Sequence, residues 1–171
     1  MKKISLLIFL ILMFNVNLYA HHLPKCPGEK FVLSKWVNCN GSYTAMDGHS
    51  YSGDFDEEGK YSGYGILKRE GGFVYEGEFF KGKFHGKGKQ FLPHSTSNAW
   101  HEGEYYMGNW HGEGRLWSED GSFEYKGEFQ NMEMTGYGTL TYKGNSVTGN
   151  WKNGNCNDED TCAAVQAANN Q

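Results

Sequence analysis

From Tyr51 onward the chain alternates aromatic or small residues with charged and polar ones. In Tyr75-Glu76-Gly77-Glu78-Phe79 the rings and the glycine take one face of a strand, and the two glutamates take the other. Gly82 interrupts the alternation, and Gly86-Lys87-Gly88-Lys89-Gln90 resumes it. Two period-two runs joined by a glycine-containing turn predict a β-hairpin. The phrase returns 26 residues later as His101-Glu102-Gly103-Glu104-Tyr105, and 24 residues after that as Tyr125-Lys126-Gly127-Glu128-Phe129. It is preceded by Tyr51-Ser52-Gly53-Asp54-Phe55. A unit recurring at this period predicts one small element that buries its apolar face on the next copy.

The glycines hold the repeat in register. Gly77, Gly82, Gly86 and Gly88 have the same spacing as Gly103, Gly108, Gly112 and Gly114. The first copy carries Gly53, Gly63 and Gly65, with Gly59 one residue late in the turn. The fourth carries Gly127, Gly136 and Gly138, with Met132 where the middle glycine belongs. An L-residue tolerates positive φ poorly, so an altered turn is expected there. Glycine inside a strand is kept where something approaches the backbone closely. The expected visitors are aromatic rings of the preceding strand or the neighbouring copy. The pattern predicts a continuous antiparallel ribbon with a ladder of rings on one face.

These residues resemble the MORN-repeat family, whose signature is close to Tyr-x-Gly-x-Trp/Phe, then Gly, then Gly-x-Gly. The resemblance covers four copies from Tyr51 to Gly138 and a truncated fifth at Val147-Thr148-Gly149-Asn150-Trp151 with Gly154. A degenerate half-copy leads at Asn40-Gly41-Ser42-Tyr43-Thr44. The departures are Met132, His101 in place of the first aromatic, and an insertion from Pro93 to Asn98. The resemblance implies an all-β, elongated, single-layer antiparallel sheet of consecutive hairpins. It also implies a non-enzymatic role, since MORN proteins are associated with membrane attachment, protein assembly and dimerisation. The expected division is a leader at 1–20, a disulfide cap and half-repeat at 21–50, repeats at 51–154, and a cap with a tail at 155–171.

The leader changes where the repeats are expected to work. Lys2-Lys3, an apolar run from Ile4 to Phe14, and a small residue at Ala20 fit a secretory signal peptide cleaved after Ala20. The run is short for a membrane anchor, which needs about 20 apolar residues. A lipoprotein is not expected, because Leu23-Pro24-Lys25 precedes Cys26. Loss of Lys2 and Lys3 moves the formal charge from −4 to −6, which supplies no attraction for nucleic acid or anionic lipid. The expected location is periplasmic or extracellular.

Four cysteines in an exported chain predict two disulfides. Cys26 and Cys39 precede the repeats, and Cys156 and Cys162 follow them. Roughly ten strands at about 4.8 Å each put the two ends some 40 Å apart. A disulfide needs Cα atoms within about 7 Å, so only the local pairings Cys26–Cys39 and Cys156–Cys162 are expected.

Candidate chemistry is sparse. His85 and His111 share one repeat position, two strands or about 9.6 Å apart. That is too far for a single metal with imidazole ligands at about 2 Å, so a structural or surface role is expected. His21-His22 would open the mature chain and could chelate copper with the terminal amine, given a further fixed ligand. Glu76, Glu78, Glu102, Glu104 and Glu128 recur with the repeat among interleaved lysines, and read as a solvated face. No nucleophile triad or phosphate loop is present, and no catalytic residue, metal or cofactor is expected. The candidate interaction face is the aromatic set Tyr51, Phe55, Tyr75, Phe79, Tyr105, Trp110, Trp117, Tyr125, Phe129 and Trp151. A single sheet has no second layer to cover them, so an open face for a protein partner or a second copy is expected. Peripheral membrane binding and stacking of glycans on those rings are the competing expectations.

Overall fold

The computed structural model describes residues 23–28, 31–32, 34–93 and 97–157. It is a single antiparallel sheet whose eleven strands lie in chain order, as the alternation predicts. The strands are β1 (Cys39–Thr44), β2 (Ser50–Phe55), β3 (Tyr61–Lys68), β4 (Val74–Phe80), β5 (Lys83–Leu92) and β6 (Ala99–Tyr106). There follow β7 (Asn109–Ser118), β8 (Phe123–Gln130), β9 (Glu133–Tyr142), β10 (Asn145–Lys152) and β11 (Asn155–Cys156). Among the described residues the one helical element is a 3₁₀ turn at Glu70–Gly72, and no helix is long and apolar enough to cross a membrane. The leader and His21-His22 lie outside the described residues.

One row of glycines crosses ten strands without a break. Gly41 faces Gly53, then Gly65, Gly77, Gly88, Gly103, Gly114, Gly127, Gly138 and Gly149. The rings of the inner face lie down over this row. A Cβ on Gly88 would sit 2.7 Å from Cζ of Tyr75, and one on Gly65 would sit 2.6 Å from the hydroxyl of Tyr51. The missing side chains therefore make room for a layer of rings pressed on bare backbone.

Those rings form a regular lattice. Tyr51 stacks on Tyr61 at 3.8 Å, Tyr75 on Phe84 at 3.8 Å and His101 on Trp110 at 4.3 Å. Each first ring also meets the next copy edge to face: Tyr51–Phe79 at 5.3 Å, Tyr75–Tyr105 at 5.1 Å, His101–Phe129 at 5.0 Å and Tyr125–Trp151 at 5.4 Å. Burying each such side chain contributes about 1.5–3 kcal/mol, and each ring pair about 0.5–1.5 kcal/mol more. The polar ends are satisfied locally. The Tyr51 hydroxyl donates to the Asp54 carbonyl and that of Tyr75 to the Glu78 carbonyl, both at 2.9 Å.

This packing corrects the reading of the ten aromatics as an open interaction face. Tyr51, Phe55, Tyr75, Phe79, Tyr105, Trp110, Tyr125, Phe129 and Trp151 are buried, and they make up most of the core, with Trp36, Leu67 and the Cys26–Cys39 pair. Only Trp117 points away from it, half-buried on the other face. The second layer thought to be missing is made by the rings themselves. Tyr61 and Phe84 belong to the same lattice, at the repeat position of Trp110.

The glutamates have a sharper role than solvation. The hairpin of each of the four copies slips register just after its first glycine, between Gly53 and Asp54, Gly77 and Glu78, Gly103 and Glu104, and Gly127 and Glu128. The slip leaves residues of the second strand without a partner on the first. Glu78 accepts the Lys87 backbone N–H at 3.0 Å, and Glu128 accepts that of Tyr137 at 3.3 Å. A carboxylate thus plugs the bulge, and bulges raise the right-handed twist of the ribbon.

The turn at Met132 is not altered. Asn131 and Met132 have φ of 52° and 71°, close to 50° and 77° at Lys81 and Gly82. These are two-residue turns of the hairpin type that demands positive φ twice. The Met132 N–H still donates to the Trp110 carbonyl at 3.2 Å, as Gly108 does to Phe84 at 2.9 Å. Cross-repeat bonding and strand pairing hold the strained conformation in place.

At the leading end Cys26 and Cys39 form a disulfide, as expected, and with buried Trp36 they cover Gly41. Cys156 is disulfide-bonded; its expected partner, Cys162, lies outside the described residues.

Candidate functional site

The inner face covers most of its own rings, with Tyr61 and Phe84 among those left half-buried, and the outer face presents the second broad surface of the sheet. Most of it follows the repeat: charged or small residues beside the glycine row. Two outer rows depart from that, and the first lies away from the hairpin turns that follow β4 and β6. It runs Ser50, Lys68, Val74, Phe91, Trp100, Trp117, Glu124, Thr141, Ser146 across successive strands. Its aromatic members are confined to three adjacent strands, β5 to β7, and no inner-face packing requires them.

Cross-strand pairing sets the geometry. Phe91 and Trp100 have ring centres 4.8 Å apart at 50°, and Trp100 and Trp117 are 6.4 Å apart and nearly parallel at 15°. The next row inward supplies cations. Lys89 Nζ lies 4.8 Å from the Trp100 ring and 5.4 Å from Trp117, and the Arg115 guanidinium lies 4.4 Å from Trp117. Carboxylates balance them. Glu102 is 3.8 Å from Lys89, and Glu124 accepts from Arg115 Nε at 2.5 Å and from Lys126 Nζ at 2.9 Å. The hydrogen bond from Lys126, then that from Arg115, holds the Glu124 carboxyl below its ordinary value. The platform is therefore apolar at its centre and near neutral at its rim. Beside it a shallow groove of about 760 Å³ passes over Gly88, Gly103 and Gly114.

A second outer row lies nearer the hairpin turns. Phe80, His85, Tyr106 and His111 follow one another at 5.4, 5.5 and 5.8 Å between ring centres. His85 and His111 are thus separated by the Tyr106 ring. Among the described residues no group of three His, Cys, Asp or Glu side chains could hold a metal ion.

Of the expected face, only Trp117 belongs to this surface. Phe91 and Trp100 lie outside the expected face, although the sequence carries a signal for both. Trp100 stands one residue before the His101 copy, out of phase with the core rings, and Phe91 stands three residues after Gly88, as Trp117 does after Gly114.

The fold and this surface define an all-β repeat protein with a patterned outer face. The MORN repeat family model matches residues 75–93, 101–123 and 125–147, and this stretch of the chain consists of MORN repeats. The family is non-enzymatic, and its repeats are commonly protein- or membrane-interaction modules. No curated protein matches the chain.

Proposed function

We propose that the protein is an exported, non-enzymatic scaffold that docks a partner protein on the outer face of β5–β7. The observation that carries this reading is the half-buried row Phe91–Trp100–Trp117, three rings in cross-strand contact on the outer face with Lys89 and Arg115 against them. Tryptophan and arginine dominate the energetic centres of protein interfaces, where a polar rim excludes water. Here Trp100, Trp117 and Arg115 form the centre, and paired charges form the rim. Export is supported by the Lys2-Lys3 leader pattern and by the Cys26–Cys39 disulfide, which persists in oxidising compartments. The formal charge of −6 after loss of the leader opposes an anionic membrane.

The test places a photo-reactive residue at Trp100 in the exported protein, with Thr148 on the same face as control. A discrete protein adduct from position 100 and none from 148 is expected. The adduct partner, purified, should bind the chain, and Trp117→Ala should weaken it tenfold or more. Adducts from both positions alike, or binding only to glycan or to anionic vesicles, would overturn the reading.

A further inference from the structure

The copy that carries the platform is also the one whose inner face breaks the repeat. Where the other copies place Tyr51, Tyr75 and Tyr125, this one places His101 on β6. The imidazole is fully buried and stacked on Trp110. Its Nδ1 is 2.8 Å from the Tyr105 hydroxyl, and that hydroxyl donates to Gln90 Oε1 at 3.4 Å. Gln90 Oε1 also accepts from Trp110 Nε1 at 3.0 Å. With the tyrosine proton committed to Gln90, His101 Nδ1–H donates to Tyr105, and Nε2 keeps its lone pair. Nε2 is buried without a hydrogen-bond partner, above Gly114.

This arrangement accommodates a neutral ring and no other. Protonating Nε2 would create a buried cation whose new N–H has no acceptor, and an unpaired buried charge is strongly unfavourable. No carboxylate compensates it. The groups packed on His101 are Gln90 from β5, Tyr105 from its own strand, Trp110 from β7 and Phe129 from β8. Of these only Tyr105 titrates, and burial pushes its hydroxyl far up, so it stays neutral. The charged residues next in register, Lys89, Glu102, Arg115 and Lys126, are exposed on the opposite face. Burial alone holds His101 down to about 3, from an ordinary value of 6.5.

Register ties this ring to the platform. Gln90, His101 and Leu116 face one another across β5–β7, and Phe91, Trp100 and Trp117 form the adjacent row on the other side of the same strands. Separating the three strands to hydrate His101 necessarily takes the platform apart.

We infer that the β5–β7 joint is an acid-responsive release device: protonation of His101 favours an opened joint, which dismantles the outer platform and frees its occupant. The regulatory half rests on the proposed docking function; the joint itself does not. The sign follows from linkage. The opened form binds the proton with an ordinary affinity and the closed form does not, so closure is favoured above pH 6.5 and loses ground as pH falls. Each pH unit below 6.5 shifts the closed-to-open ratio about tenfold, and the shift ends near the folded value. For an exported protein, acidification is an external signal.

The decisive measurement compares the full chain with His101→Tyr, which restores the residue used in the other copies, and with His101→Phe, which keeps the ring and drops the nitrogen. Denaturant stability and Trp fluorescence are followed from pH 7.5 to 4.5. Each variant should resist acid better than the native chain by about tenfold in the folding constant per pH unit, or about a hundredfold at pH 4.5. Parallel acid profiles for all three would overturn the joint, as would an NMR titration placing the folded His101 near 6.5. Partner release is read separately, by the position-100 adduct at pH 7.5 and 5. Loss at pH 5 in the native chain but not in His101→Phe supports the regulatory half. Equal loss in both refutes that half and leaves the docking reading standing.

Discussion

Tyr75 and Trp100 make an instructive pair. Both are aromatic, both sit on central strands of one sheet, and their fates are opposite. Tyr75 is fully buried with its ring over Gly88, whereas Trp100 stands half-buried on the other side with the Lys89 ammonium against its face. The difference lies in what is beneath each ring. The inner face has a row of bare backbone wide enough for a ring to lie on, and each ring there is closed in by the next copy. The outer face has a charged side chain at the equivalent place, so its rings can only stack sideways. A single-layer sheet can therefore be dry on one face without a second sheet, provided glycine occupies every strand of one register row.

The strongest way to break this contrast is truncation on each face. Tyr75→Ala should cost about 3–5 kcal/mol, since it removes a ring shared by two copies. Trp100→Ala should cost about 1 kcal/mol or less, the scale of one cross-strand pair. Urea midpoints decide it, and equal losses would mean that the outer row is also core. Gly88→Val is the next test. It should cost about 1–3 kcal/mol by forcing Tyr75 off the backbone, while Lys87→Val, one residue away on the outer face, should change stability by less than 1 kcal/mol. Comparable thermal midpoints for the two would refute the assignment of faces. The smallest effect sharpens the comparison of turns. Met132→Gly should stabilise the chain by about 1 kcal/mol, because the left-handed conformation costs an L-residue roughly that much. No gain in midpoint would show that the methionine side chain repays its backbone strain.

Much of the architecture was legible in the residues. Period two set the strands, the constant distances among Gly77, Gly82, Gly86 and Gly88 set the hairpin, and the cysteine spacing required Cys26 to pair with Cys39. The side of the sheet taken by Trp100 and Trp117 was present in the residues too, as odd spacing from the strand glycines Gly103 and Gly114, although the expected face grouped Trp117 with the even-spaced rings. Met132 misled because the rule against positive φ is local, while the bond from its N–H to the Trp110 carbonyl is not. Glu78 and Glu128 were read as solvated because nothing in one strand reports that its partner slips register and frees an N–H.

What the sequence determined by itself was an all-β ribbon of repeated hairpins, its two faces and its leading disulfide, because those follow from alternation, glycine spacing and distance along the chain. Only the tertiary structure decided which aromatic face is closed. Burial of a ring depends on the twist of the ribbon and on rings from the following copy, neither of which is local to the phrase that carries it. Tyr51 and Trp117 read alike as exposed aromatics in sequence; packing put one in the core and left the other on the surface.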